Sequence, residues 1–111
     1  EIKVMNIILT DRWGNEIKEP DQATLEKTIN DVFIDKTLPE ISITNGDYYL
    51  DIINTGWVYL SEENGDMYYM KNAKEDTIRQ LWEYFYTDQL DYLFAETWIK
   101  GIPAFNGDFQ D

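Results

Sequence analysis

The fold is decided by residues 41–70, which read ISITNGDYYLDIINTGWVYLSEENGDMYYM. Short runs rich in Ile, Tyr, Trp and Val alternate with polar side chains, which is typical of half-buried β-strands. Turn residues separate the runs, and Asn45-Gly46 is a strong signal for a two-residue hairpin. The stretch therefore predicts an antiparallel meander with strands at residues 41–44, 48–53, 57–60 and 67–70.

The segment before this meander predicts one strand and one helix. Residues 2–10 are rich in β-branched side chains and apolar on both faces, as in a strand inside a sheet. A turn follows at 11–15, and Asp21 is placed to cap a helix over 22–34. The apolar positions of this helix recur at i, i+4, i+7 and i+8, and are Leu25, Ile29, Val32 and Phe33.

After the meander the apolar spacing becomes helical again. A second helix is predicted over 74–86, with the apolar side chains Ile78, Leu81, Trp82 and Phe85. A third continues to about residue 98 and is stopped by Gly101 and Pro103. The chain is thus predicted to be one α+β domain over 1–111 with a loose tail at 101–111. Its antiparallel sheet of four to five strands carries the helices on one face, in the order β-α-β-β-β-β-α-α.

Charge is the most informative feature of the composition. The 111 residues include 22 acids and 9 bases, for a formal net charge of −13. Between Lys36 and Lys71 there are six acids and no base. Such a field repels nucleic acid and anionic lipid and attracts basic proteins. An alternative stays open, in which the negative charge only keeps the protein in solution.

Several kinds of chemistry are excluded by residue type. The chain contains no histidine and no cysteine, which removes Ser-His-Asp and Cys-His nucleophilic sites and Cys/His zinc sites. No glycine-rich phosphate loop occurs. The triplet Asn-Gly-Asp at 45–47, 64–66 and 106–108 lacks the acid spacing of a calcium loop and indicates tight turns. We therefore expect no catalytic residues, no metal and no cofactor, and the chain is predicted not to be an enzyme.

Hydropathy bears on location. No run approaches the roughly 18 apolar residues that a membrane-spanning helix needs. No positively charged leader precedes the apolar residues near the start. A cytoplasmic location is the expectation.

The aromatic residues of the meander predict a binding surface on one side of the sheet. If Leu50 and Ile52 face the helices, Tyr49 and Asp51 face the other way, because side chains alternate along a strand. Trp and Tyr anchors among carboxylates have the composition of a protein-binding patch, whereas nucleic-acid binding needs interleaved Arg or Lys. The predicted partner-binding residues are Tyr49, Asp51, Trp57, Tyr59, Glu62, Glu63, Asp66 and Tyr68. Two alternatives remain, that these rings merely suit strands or that a terminal segment covers them.

Three segments of the meander carry a family resemblance. They are GDYYLDII at 46–53, GWVYL at 56–60 and NGDMYY at 64–69. Together with the length, the acidity and the predicted element order, they resemble the central meander of small acidic immunity proteins. These proteins partner bacterial polymorphic or contact-dependent toxins. The resemblance implies a non-catalytic, stoichiometric inhibitor that covers the catalytic domain of a basic toxin, often a nuclease.

Two other functions remain open at this stage. One is a phage-type nucleic-acid mimic that blocks a restriction or CRISPR effector, which would need carboxylates spaced like phosphates along a ridge. The other is a small carboxylate-using enzyme or sugar-binding module. A toxin gene next to this one would favour the immunity function, and a phage neighbourhood would favour the mimic. The oligomeric state is left open.

Overall fold

A seven-stranded antiparallel sheet is the centre of the fold, and a computed structural model describes it over residues 3–4, 6–35 and 37–102. The strands are β1 (Ile8–Thr10), β2 (Glu16–Lys18), β3 (Glu40–Thr44), β4 (Tyr48–Ile53), β5 (Trp57–Glu62), β6 (Met67–Met70) and β7 (Ile99–Lys100). The helices are α1 (Gln22–Ile34), α2 (Glu75–Tyr86) and α3 (Leu90–Phe94).

The sheet order is β2-β1-β3-β4-β5-β6-β7, with β4 at its centre. Strands β3 to β6 form the predicted meander, in which each strand pairs with the next along the chain. Strand β1 pairs with β3, which follows α1 in the chain, and β2 and β7 form the two edges of the sheet. The α+β class and the antiparallel sheet are confirmed.

The predicted sheet was too small and its element order incomplete. It has seven strands where four to five were expected, because β2 and β7 were missed. These short edge strands leave little hydrophobic pattern, since Ile17 is the only apolar residue of β2 and Ile99 of β7. The observed order is therefore β-β-α-β-β-β-β-α-α-β.

The boundaries of the other elements agree in part with the prediction. Helix α1 has the bounds expected of it, and α2 differs by one residue. The strand predicted over 2–10 is much shorter, and the expectation of a loose tail falls largely on residues 103–111, which lie outside the described part of the chain.

Helix α3 ends at Phe94, well before residue 98. The indole N–H of Trp98 donates a 2.8 Å hydrogen bond to the carbonyl of Leu93. The same carbonyl accepts the backbone N–H of Glu96 at 3.3 Å, which closes the last turn tightly. The helix ends here because these two donors take the carbonyl that the Thr97 N–H would use in a continuing α-helix.

The turn between β3 and β4 is longer than the expected two-residue hairpin and spans residues 45–47. The side-chain oxygen of Asn45 accepts the backbone N–H groups of Asp47 and Tyr48 at 2.9 and 2.8 Å. Gly46 takes a φ of 94°, a conformation that glycine adopts without strain. The asparagine side chain therefore holds a wider turn than the Asn-Gly pair alone predicts.

All the helices pack on one face of the sheet, and the core lies between the two layers. Seven of the strand residues that face the helices are fully buried, and are Leu9, Ile41, Ile43, Leu50, Ile52, Val58 and Leu60. Helices α1 and α2 contribute Leu25, Ile29, Val32, Ile78, Leu81, Trp82 and Phe85. Burying each such side chain contributes roughly 1.5–3 kcal/mol.

Buried hydrogen bonds fix α1 against its neighbours. Its N-terminus is capped as predicted, since the Asp21 carboxylate accepts the Thr24 N–H at 2.7 Å. The indole of Trp82 in α2 donates to the carbonyl of Leu25 at 3.0 Å. The amide of Asn54, in the turn after β4, donates to the carbonyl of Val32 at 2.6 Å. The helix layer is thus joined to the sheet by polar contacts as well as by packing.

Candidate functional site

The face of the sheet that lies opposite the helices is the candidate site, and we call it the open face. In the residue pairing, Thr44, Tyr49 and Ser61 lie in one row across the sheet, and Ser42, Asp51 and Tyr59 lie in the next. Apart from the buried Trp57, the open-face residues lie outside the buried core, and no helix of the described part of the chain packs on them. The strand residues of this face are Ile8, Thr10, Glu16, Lys18, Glu40, Ser42, Thr44, Tyr49, Asp51, Ile53, Trp57, Tyr59, Ser61, Met67, Tyr69 and Ile99.

Three aromatic rings cluster on β5 and β6. The ring of Trp57 stacks on Tyr59 with centroids 6.2 Å apart and lies 6.1 Å from Tyr69. Trp57 is only 7% exposed, although it points to the open face. Its own ring is therefore largely inaccessible, which leaves Tyr59 and Tyr69, both half-buried, as the rings of this cluster that a partner can contact.

Asp51 lies at the centre of this surface, on the central strand, between Ser42 and Tyr59. Desolvation raises the pKa of its carboxyl, the charge of Glu40 raises it further, and a hydrogen bond from Ser42 partly offsets both. A buried carboxylate normally gains a cation or several donors to offset the loss of water. Among the described residues no cation contributes to this shift, so a partner's positive charge placed here would stabilise the carboxylate.

The electrostatics of neighbouring groups agree with this picture. Burial raises the pKa of Tyr59, and the charges of Glu40 and Asp51 raise it further. Among the strand residues paired in the sheet, Lys18 is the one base on the open face, and it lies on the edge strand β2. The centre of the face is therefore negative, and a cationic group placed there would lower the free energy of the carboxylates.

Tyr49 and Glu63 extend the site to one end of the sheet. The Tyr49 hydroxyl donates a 2.5 Å hydrogen bond to the carboxylate of Glu63, in the turn after β5. This bond and the charge of Glu63 raise the pKa of Tyr49. Tyr49 is 39% exposed, so an ordered tyrosine-carboxylate pair is accessible at the rim.

The predicted binding residues divide between the two faces of the sheet. Tyr49, Asp51, Trp57 and Tyr59 lie on the open face, as expected, and Glu63 borders it. The other three lie at the same end of the sheet but on the helix side, and are Glu62, Asp66 and Tyr68. No single surface brings all the predicted residues together.

Alternation requires one of the two adjacent tyrosines of β6 to face outward, and in the structure it is Tyr69 rather than Tyr68, the one named among the predicted binding residues. Tyr68 pairs with the inward-facing Leu60 and packs against the core, whereas its neighbour Tyr69 pairs with Tyr59 on the open face. Because Tyr68 and Tyr69 are identical neighbours, the sequence pattern does not show which of them faces outward. The register of β6 against β5 determines it. Tyr69 and Glu40 are two open-face residues that were absent from the predicted binding residues. The pairing of β6 with β5 and of β3 with β4 is the signal that identifies them.

Two general features of the described residues bear on possible chemistry. Within residues 3–4, 6–35 and 37–102, no group of three or more acidic side chains is arranged to hold a metal ion. None of the helices there has the length and apolar character to cross a bilayer.

No protein-family model matches the chain, and no match is found among curated proteins or among solved structures. Its function is therefore inferred from its own side chains and their geometry.

Proposed function

We propose that this protein is a non-catalytic inhibitor that binds a basic protein through the open face of its sheet. Following the resemblance of its meander to immunity proteins, the partner is a basic bacterial toxin domain, such as a nuclease, which the chain neutralises by covering it. An immunity protein acts where a toxin could harm its own cell, so the proposed location is the cytoplasm.

The observation that carries the proposal is the environment of Asp51. This carboxylate is partly desolvated at the centre of an aromatic face, and no cation among the described residues shifts its pKa. Leaving a carboxylate in such a position costs free energy in the isolated protein. An arginine or lysine of a partner would offset that cost, while Tyr59 and Tyr69 would provide the apolar contact around it.

The size of the face is adequate for a protein partner. Seven strands about 4.8 Å apart make a face roughly 29 Å wide. The six residues of β4 extend over about 20 Å, so the projected area is up to roughly 600 Å². A standard interface buries about 800 Å² on each partner, so the open face and the adjoining β5–β6 turn supply most of one.

The net charge would act on the rate of association. A formal charge of −13 steers a basic partner towards the protein over distances of about 8–10 Å at physiological salt. Aromatic contacts at the centre would then determine how long the complex lasts. If charge controls association and the aromatic contacts control dissociation, the association rate should fall with salt and the dissociation rate should depend on the rings.

The test is binding of the purified protein to the purified toxin domain encoded beside its gene, measured by titration calorimetry. We expect Tyr59→Ala to weaken binding by at least about 2 kcal/mol, or roughly thirtyfold in Kd. The matched control is Tyr92→Ala, which removes an equally large ring that is 63% exposed on α3, on the helix side. We expect the control to change Kd by less than about twofold, as a residue outside the interface does.

Two results would argue against the proposal. One is binding that Tyr59→Ala and Asp51→Asn leave unchanged. The other is an affinity that falls steeply with salt but does not depend on the open-face rings, which would favour the nucleic-acid mimic instead.

A further inference from the structure

A cavity of about 450 Å³ opens on the helix side of the sheet, between α3 and strands β4 to β7. It forms because the five-residue helix α3 leaves part of the inner sheet face uncovered at this end. Its lining residues are Tyr48, Leu60, Glu62, Tyr68, Phe94, Glu96, Trp98 and Lys100. Four of the eight are aromatic, so rings dominate the walls.

Contacts within the walls fix the positions of these rings. The rings of Tyr48 and Phe94 lie 5.1 Å apart at 59° to one another, the tilted geometry that aromatic pairs prefer. The indole N–H of Trp98 is held by the Leu93 carbonyl at 2.8 Å. Tyr68 packs against the core. The cavity is therefore shaped by ordered side chains before anything enters it.

The charged groups of the cavity leave it negative. The ammonium of Lys100 lies 3.3 Å from the carboxylate of Asp66, which offsets its charge. The Glu62 carboxylate accepts the Asp66 backbone N–H at 2.9 Å and has no cationic partner among the described residues. Within the same ranges of the chain, the Glu96 side chain makes no hydrogen bond or ion pair. Among the described residues, two carboxylates at this aromatic-lined cavity thus have no ion-pair partner, and the one cation of its lining, Lys100, is paired with Asp66.

This combination selects a cationic ligand. An anion would be repelled, and a neutral apolar group would remove water from the carboxylates without replacing it. A cation gains from the carboxylates and from the faces of aromatic rings. A guanidinium fits better than an ammonium, because it is planar, weakly hydrated and able to stack on rings while donating to a carboxylate.

We propose that this cavity binds the guanidinium group of an arginine side chain of the basic partner. The inference rests on the proposed function in one respect, that the arginine belongs to that partner. The two surfaces meet at the end of β5, where consecutive residues face opposite sides. Glu62 lines the cavity, and Glu63 bonds to Tyr49 at the rim of the open face. A partner segment that crosses the β5–β6 turn can therefore occupy both.

The experiment uses the full chain, labelled with ¹⁵N, and follows the indole N–H signal of Trp98. The probe is N-acetyl-arginine methylamide, and the ligand control is its citrulline analogue, which has nearly the same shape but no charge. We expect the arginine compound to shift the Trp98 signal in a saturable way at millimolar concentration. We expect the citrulline compound to bind at least about fivefold more weakly than the arginine compound. N-acetyl-lysine methylamide is expected to bind more weakly than the arginine compound.

A variant pair tests the role of the carboxylate. Glu96→Gln removes a charge from the cavity wall and should weaken arginine binding by about two- to fivefold. Asp91→Asn removes an exposed acid from α3, five residues earlier, that does not line the cavity, and should leave the Kd unchanged. If Glu96→Gln does not fold, the comparison of arginine with citrulline on the wild-type protein still decides the matter.

Three outcomes would overturn the inference. They are equal binding of arginine and citrulline, lysine binding as tightly as arginine, and the absence of any saturable shift of the Trp98 signal with arginine, whether or not glucose produces one. Failure of the proposed function can be distinguished from failure of the arginine-binding inference, because the proposed function is tested with open-face variants. If Tyr59→Ala leaves toxin binding intact while arginine still enters the cavity, guanidinium binding stands and the open-face interface does not.

Discussion

The hydroxyl of Tyr49 donates its hydrogen bond to Glu63 at 2.5 Å, and this contact joins the open face to the turn that follows β5. The carboxylate stabilises the neutral phenol, which raises the pKa of Tyr49. A raised pKa in the folded state means that this contribution to stability is present below the ordinary tyrosine pKa near 10. It is lost as the pH rises through the higher folded value.

We expect Glu63→Gln to lower the pKa of Tyr49 towards its ordinary value, because both the charge and the strong acceptor are removed. The measurement is an NMR titration of tyrosine ring signals between pH 8 and about 12. Glu62→Gln is the matched control, since it removes the same charge one residue away on the other face. A shift of equal size in both variants would attribute the effect to the general negative field rather than to the bond.

Asp51→Asn should stabilise the isolated protein at neutral pH. The folded pKa of Asp51 is raised, so its charged form is disfavoured by folding, and a neutral amide avoids that cost. The gain should be present at pH 7 and should disappear as the pH falls through the folded pKa towards the unfolded value near 3.9. Urea unfolding of wild type and variant at pH 7 and at pH 3 measures it.

The same variant should weaken binding of the basic partner, so stability and binding are expected to change in opposite directions. Glu26→Gln on the exposed side of α1 is the control and should alter neither quantity appreciably. A destabilised Asp51→Asn variant would show that the carboxylate has a structural role and would remove the main support for the open-face interface.

Asn54→Ala should lower the free energy of unfolding by about 1–2 kcal/mol, since the carbonyl of Val32 loses a buried donor. The asparagine is 7% exposed and links the turn after β4 to α1. Thr55→Ala, at the exposed neighbouring position, should change stability by less than about 0.5 kcal/mol. Equal effects of the two substitutions would mean that the bond to Val32 contributes nothing.

Gly56→Ala should be more damaging than Gly46→Ala, although both glycines have a positive φ. Each substitution carries backbone strain of about 1–2 kcal/mol. At Gly56 a Cβ would also lie 3.2 Å from the backbone of Asn72, whereas at Gly46 it would meet nothing within 4 Å. The extra cost at Gly56 should be about 1 kcal/mol or more in thermal or urea unfolding. Equal losses of stability would show that the segment between β6 and α2, which contains Asn72, moves aside easily.

The parts of the fold that could be predicted are those in which apolar residues recur with a clear helical or strand period. The heptad-like spacing around Leu25 and the cap at Asp21 placed α1 correctly, and alternation along β4 assigned its faces correctly. The edge strands could not be predicted, because two- or three-residue pairings are held by backbone bonds that any sequence can make. The early end of α3 depends on the bond from Trp98 to Leu93, which no helical period reveals.

The candidate site was predictable to the extent that strand alternation determines it. The outward orientation of Tyr49, Asp51 and Tyr59 follows directly from the alternation of side chains along a strand. The position of Tyr68 does not, because it depends on the register of β6 against β5. The burial of Trp57, whose ring stacks on Tyr59, is likewise a result of packing, which the sequence pattern does not contain.

The central position of β4 has a consequence for the thermodynamics of association. Both of its edges are paired along its length, so its backbone can open only with much of the sheet, and its amides should exchange most slowly with solvent. A side chain on such a strand is preorganised, and its immobilisation in a complex should lose little conformational entropy. Asp51 is therefore held in its unfavourable surroundings by the most rigid part of the molecule and cannot relieve them by a local rearrangement.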